Sequence, residues 1–295
     1  MRTYSFVTVD VFTERRFGGN QLAVFLDAQG LTDQEMQALA AELNLNETTF
    51  VLPPDDPAHT ARVRIFNRTA EMPFAGHPNV GTGYVLATLG RDRDGVLLFE
   101  EQAGLVEVRV ERDATGAPIG AEIDAPQPLS LGGTVSPDTV AACSGLQNAD
   151  VLTDAHPPIE ASVGYPFVIA EVLPAALARA APQIEPCRRV AAELPHLGDR
   201  LAIYVYARDG ARLRARMFAP LSGTFEDPAT GSAATPLAAL LLSLGEASEA
   251  RYEIVQGIEM GRPSVLHATA RRTADGIRAS VGGRCVPVLR GEATL

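Results

Sequence analysis

A chain of 295 residues exceeds the usual size of one hydrophobic core and predicts two domains. Its 46% apolar and 21% charged residues fit a globular protein, and a net charge of -11 argues against a nucleic-acid binder or a partner of anionic membranes. All 25 basic residues are Arg; the absence of Lys excludes a pyridoxal phosphate Schiff base, a Gly-Lys phosphate loop and a Lys general base.

The chain opens on a strand-like run, YSFVTVDVF, with no charged leader or apolar core ahead of it, so a cytoplasmic location is expected. The Gly18-Gly19 turn leads into a second strand, LAVFLD. Thr32 and Glu35 then make a capping-box pattern before Met36, Leu39, Ala40 and Leu43 at helical spacing. NLNETTFVL reads as a short polar link into a strand, and further strands are expected at 61–66, 95–100, 105–111 and 119–124. Ala125 to Asp138, rich in Pro, Gly and Ser, reads as a linker. No apolar stretch reaches membrane-spanning length. Cys143, Cys187 and Cys285, odd in number and widely spaced, suit a reducing compartment. No His or Cys spacing suggests a metal, and none is expected.

Part of the pattern recurs 150 residues later: ARVRIF at 61–66 is answered by ARLRAR at 211–216, and His77-Pro78-Asn79-Val80-Gly81-Thr82 by Asp227-Pro228-Ala229-Thr230-Gly231-Ser232. Each copy runs into a helix of small apolar residues, which predicts a tandem pair of similar domains. Pro suits a first helical turn, and Gly with a small Thr or Ser would leave the early amides uncovered, making an anion site that could bind a carboxylate or steady an enolate-like charge. Simple capping is the alternative. His59, His156, His196 and His267 are expected on surfaces or in turns.

The segments VDVFTERRFGGNQLAVF, LNLNETTFV, RTAEMPFAGHPNVGTGYVLA, FAPLSGTFEDPATGSA and GGRCVPVLRGE resemble the PhzF-like phenazine biosynthesis family, from the first strand to the last residues. The resemblance implies an α+β fold like that of diaminopimelate epimerase. Two pseudo-symmetric domains, 1–128 plus 283–295 and 129–282, would each wrap a curved mixed sheet around a central helix, with the active site between them. It implies a cofactor-independent isomerase or epimerase moving a proton on a small carboxylate, similar to trans-2,3-dihydro-3-hydroxyanthranilate isomerase, and a homodimer. Glu47 matches the family's proton-shuttling Glu, and His77 and Asp227 match its His and Asp. They stand where the epimerase relatives carry a Cys pair, so a two-thiol racemase is disfavoured. Gly76, Gly231 and Ser232 would hold the carboxylate, with Asn20 also at the substrate; Gly19-Asn20-Gln21 stands where the family often reads Gly-Asn-Pro.

Chemistry supports Glu47 separately, because a weakly acidic C–H needs a base that is close and partly desolvated, and Asn44, Asn46, Thr48 and Thr49 offer neutral partners. Two other readings stand beside this one. Ser232 could be a hydrolytic nucleophile, although GSAAT lacks the GxSxG elbow. Alternatively, the fold could bind small molecules without turnover.

Overall fold

The computed structural model describes all 295 residues, which divide into two compact units, Met1–Asp124 with Gly282–Leu295 and Ala125–Val281. Both mix strands with a few helices, an α+β architecture.

In the first unit β1 (Thr3–Val11) and β2 (Asn20–Phe25) pair antiparallel, α1 (Asp33–Leu43) crosses over, and β3 (Glu47–Leu52) lies parallel to β2. β4 (Ala61–Asn67) runs antiparallel to β3, and β5 (Glu71–Met72) folds back on β4 ahead of α2 (Gly76–Thr88). β6 (Val96–Glu101) is parallel to β4, and β7 (Gly104–Arg112) and β8 (Pro118–Asp124) continue antiparallel.

The second unit begins with β9 (Ser130–Thr134), α3 (Pro137–Ser144) and β10 (Val151–Leu152). Part of the stretch expected to be a linker is therefore a strand; its five residues are exposed and it pairs with β11 (Ile159–Ser162), a place where Ser and Gly cost no packing. β11 is antiparallel to β12 (Pro166–Val172), α4 (Pro174–Leu177) and α5 (Ile184–Glu193) cross over, and β13 (Ile203–Asp209) lies parallel to β12. β14 (Arg212–Ala219) is antiparallel to β13, and β15 (Thr224–Asp227) folds back on β14 ahead of α6 (Gly231–Ser243). β16 (Glu249–Gln256) is parallel to β14, and β17 (Ser264–Thr273) is antiparallel to β16. β18 (Gly276–Thr294) starts in this unit and ends in the first, where Cys285 to Thr294 pair with β1.

The pairing sequence antiparallel, parallel, antiparallel, fold-back, helix, parallel, antiparallel thus occurs once in each unit, with ARVRIF in β4 and ARLRAR in β14 as equivalent strands. The helices do not keep the 150-residue offset. α2 starts at Gly76 and α6 at Gly231, five residues later than that offset requires. The extra residues lie in the extended end of β14, in the longer turn after it and in the longer β15. By topology Gly76 corresponds to Gly231 and His77 to Ser232, whereas Asp227 closes β15 ahead of its helix, as Met72 closes β5. The expectation that His77 and Asp227 occupy the same place is corrected accordingly.

Local chemistry explains the frame around the first helix. Thr32 and Glu35 form the capping box of α1, whose Met36, Leu39 and Ala40 face a core containing Phe25, Phe50 and Phe66. Phe25 stacks on Phe50 at 4.8 Å and Phe66 meets Phe50 edge-on, pinning the β2–β3–β4 register. α2 is buried from Gly76 to Ala87, as befits a helix without a polar face. Its glycines let the sheet close on it: a Cβ on Gly81 would lie 2.6 Å from Leu22 and 2.7 Å from Val11, and one on Gly83 2.5 Å from Val108. Gly81 therefore serves close packing, not the exposure of early amides.

Candidate active site

Because β2 and β3 run parallel and β4 returns antiparallel, the start of β2, the start of β3 and the end of β4 share one edge, with Glu47 registered between Leu22 and Asn67. Asn44, in the left-handed region at φ 53, ends α1 and turns the chain into β3. The first turn of α2 reaches the same edge. His77 is buried there, with Nε2 3.3 Å from Oε2 of Glu47, whose side chain is 18% exposed. On the other side of the ring Nδ1 lies 3.3 Å from Nδ2 of Asn20. Asn46 Nδ2 donates to Asn20 Oδ1 at 3.2 Å, and Arg68 Nη1 donates to Asn46 Oδ1 at 3.2 Å. The first unit thus brings Asn20, Glu47, Gly76 and His77 together.

Burial pushes the His77 imidazole down to about 3, against a weaker upward pull from the Gln21 main chain, so the ring is neutral at neutral pH. Its contact with Glu47 is then that of a neutral ring with a carboxyl group, not an ion pair. One helical step further, Asn79 is fully buried and its Nδ2 donates to the Ala75 carbonyl at 3.1 Å. Both carboxyl oxygens of Glu101, at the end of β6, are also buried and make no hydrogen bond; burial pushes this group up to about 8, with the neighbouring Asn79 side chain pulling the other way.

The second unit places Asp227, Gly231 and Ser232 around the start of α6. Asp227 is buried and accepts from the Thr230 hydroxyl at 2.5 Å. Gln256, at the end of β16, donates through Nε2 to the Asp227 carbonyl at 2.7 Å and to Thr230 Oγ1 at 3.0 Å. Its Oε1 accepts from the Tyr204 hydroxyl at 3.2 Å and from the Thr230 amide at 3.3 Å. Burial, with the charge of Asp227 second, pushes the Tyr204 phenol above its ordinary value. Gly231 is buried and Ser232 half-buried. His156 bonds Tyr206 at 2.9 Å, His196 bonds Glu160 at 2.9 Å and His267 is exposed, so no imidazole of this unit bonds Ser232 as a hydrolytic base. His156 corrects the surface expectation: it is buried, with Nδ1 on the Pro157 carbonyl at 2.8 Å.

The five helices of eight or more residues differ at their starts: α1 is capped by the Thr32 side chain and α3 by Ser136, whereas α2, α5 and α6 have no side-chain cap. The amides of Gly76 and His77, and of Gly231 and Ser232, therefore have no intrahelical acceptor and carry the positive end of the helix dipole. Simple capping does not account for the two motifs.

Sequence reasoning did not single out Arg68, Glu101, Thr230, Tyr204 or Gln256. Arg68 lies in the RTAEM segment beside the first motif and Thr230 inside the second, signals of position only; Glu101, Tyr204 and Gln256 become visible once strand register brings distant residues together. No group of three or more His, Cys, Asp or Glu is placed to hold a metal ion, and the three cysteines are free and buried.

A family model described as phenazine biosynthesis-like protein, PhzC-PhzF, matches residues 9–291. The chain belongs to this family. It is 38% identical to the trans-2,3-dihydro-3-hydroxyanthranilate isomerase of Pseudomonas chlororaphis, covering 99% of this chain and 100% of that one. It is also 38% identical to an uncharacterized isomerase of Mesorhizobium japonicum, covering 99% of both. A crystal structure of the PhzF-family protein of Bacillus anthracis superposes with a TM-score of 0.88 at 25% identity over 100% of both chains. The chain is an isomerase of the PhzF family. No helix is long and apolar enough to cross a membrane.

Proposed function

We propose that the enzyme moves a proton between two carbons of a small cyclic carboxylic acid, with Glu47 as base and then acid, and that its substrate is trans-2,3-dihydro-3-hydroxyanthranilate or a close analogue. Glu47 takes the proton from a C–H beside the conjugated system, the electron pair delocalises toward the carboxylate, and Glu47 returns the proton to a second carbon on the same face. Substrate and product are isomers, so no redox partner is needed. His77 and Asp227 orient the polar groups of the substrate, Asn20 contributes beside His77, and Gly76, Gly231 and Ser232 hold the carboxylate through amides and the Ser hydroxyl.

The supporting observation is the half-buried Glu47 carboxyl held 3.3 Å from a buried neutral imidazole, beside a helix start that no side chain caps. The recurring strand order supports two diaminopimelate epimerase-like domains, and the reading takes the enzyme as a cytoplasmic homodimer acting without a cofactor. Incubation of the relative's substrate in heavy water is expected to place deuterium on the receiving carbon, and Glu47→Gln to abolish both isomerisation and exchange. Turnover retained in that variant would remove Glu47 from the mechanism.

A further inference from the structure

The polar groups behind His77 form a directed chain. Arg68 has donors only, so the Asn46 atom facing it at 3.2 Å is Oδ1. That orientation turns the Asn46 amide group toward Asn20, whose Oδ1 accepts at 3.2 Å. Asn20 then presents its own amide group to Nδ1 of His77 at 3.3 Å. A ring nitrogen that accepts carries no proton, and a neutral imidazole has one proton to place. It belongs on Nε2, the nitrogen 3.3 Å from Glu47.

We propose that Arg68, Asn46 and Asn20 are positioning residues that set the tautomer of His77, putting its proton on Nε2, the ring nitrogen nearest the Glu47 carboxyl. This rests on Glu47 being the proton carrier. Nε2 and Oε2 lie 3.3 Å apart without being aligned as a hydrogen bond; once aligned with substrate present, an Nε2–H donor at Oε2 disfavours protonation there and keeps the transferred proton on Oε1. The ring cannot compete as a base, because its free lone pair is engaged by Asn20. Outer partners of this kind typically change activity by about 10–100-fold when removed.

The chain can be reversed. Arg68→Glu replaces a donor with an acceptor; Asn46 then turns its amide group toward the new carboxylate, Asn20 follows, and Nδ1 faces an oxygen. Arg68→Lys keeps a donor and the original direction. Asn20→Asp places an acceptor directly on Nδ1 and serves if Arg68→Glu does not fold. The readout is the nitrogen-15 spectrum of histidine-labelled full-length enzyme at neutral pH, with the His77 signals assigned by loss in His77→Gln. Wild type and Arg68→Lys are expected to show an unprotonated Nδ1 and a protonated Nε2. Arg68→Glu and Asn20→Asp are expected to move the proton to Nδ1, with kcat reduced about 10–100-fold and KM changed much less. The Gln21 main-chain carbonyl is the competing acceptor near the ring. A wild-type ring protonated on Nδ1, or a tautomer that does not respond to Arg68→Glu and Asn20→Asp, overturns the proposal. Because the spectrum reads the tautomer without substrate, its result stands apart from whether Glu47 proves to be the proton carrier.

Discussion

The starts of α2 and α6 hold the same topological place and have been built for different work. At α2 the first turn itself carries a titratable ring, His77, set 3.3 Å from Glu47 and 3.3 Å from Asn20. At α6 the corresponding residue is Ser232, and the acid comes earlier, on β15, where Thr230 and Gln256 hold Asp227 with bonds of 2.5 and 2.7 Å. A carboxyl beside a buried neutral ring is suited to gain and lose a proton. A carboxylate tied to a hydroxyl, with its own main chain tied to a glutamine, is suited to remain a fixed charge. The lesson is that a repeat can conserve the helix start while shifting the acid along the strand that feeds it.

The sharpest way to break this contrast is to neutralise each acid in turn. Glu47→Gln is expected to lower kcat by about 10²–10⁴-fold, the usual contribution of general acid–base catalysis. Asp227→Asn is expected to act mainly on KM and to leave solvent exchange into substrate measurable. Equal loss of exchange in both variants would erase the distinction drawn between the two acids.

The next effect is a pH profile of stability that belongs to the first unit. His77 has its pKa lowered from 6.5 to about 3, so the unfolded chain binds the extra proton and stability falls as pH drops through that interval. Glu101 has its pKa raised from 4.5 to about 8, so the folded chain holds the extra proton and stability falls as pH rises between those values. Each slope is at most about 1.4 kcal/mol per pH unit. Glu101→Gln should flatten the alkaline decline in urea unfolding measured from about pH 3 to 9, and His77→Gln the acid one. An unchanged alkaline profile in Glu101→Gln would mean the carboxyl is ionised at neutral pH.

Smaller effects separate the two central helices. Gly81→Ala forces a Cβ toward Leu22 and Val11 and is expected to cost about 1–3 kcal/mol; the α6 residue corresponding to Gly81 is Pro236, so the constraint belongs to α2 alone. Ala75→Ser would cap α2, adding about 1 kcal/mol of stability in thermal unfolding while raising KM, since the hydroxyl takes amides that would otherwise face substrate. A stabilised variant with unchanged KM would take those amides out of substrate binding.

Much of this was legible in residues. The capping box of Thr32 and Glu35, the strands from 61 to 124 and the recurrence of ARVRIF as ARLRAR are short-range patterns, and each appears where sequence reading put it. Glu47 and His77 meet because three strand ends share an edge, which the motifs suggested but could not measure. What escaped depends on counting along turns and on register. The few additional residues around β15 slide Asp227 off its apparent equivalent, and Gln256 reaches Thr230 from 26 residues away. His156 looked like a turn residue next to two prolines, yet its ring is buried against Tyr206, because burial there is decided by β13.

The enclosure of α2 has a consequence for how such an enzyme changes over time. Walled by neighbouring strands from its first residue and closed upon at Gly81 and Gly83, the helix works as a hub that can neither slide nor roll. Descendants of this scaffold inherit a stationary anchor for the His77 ring that lies beside Glu47. Novelty in what is accepted must then arise at the rim, in segments free to vary without disturbing the hub.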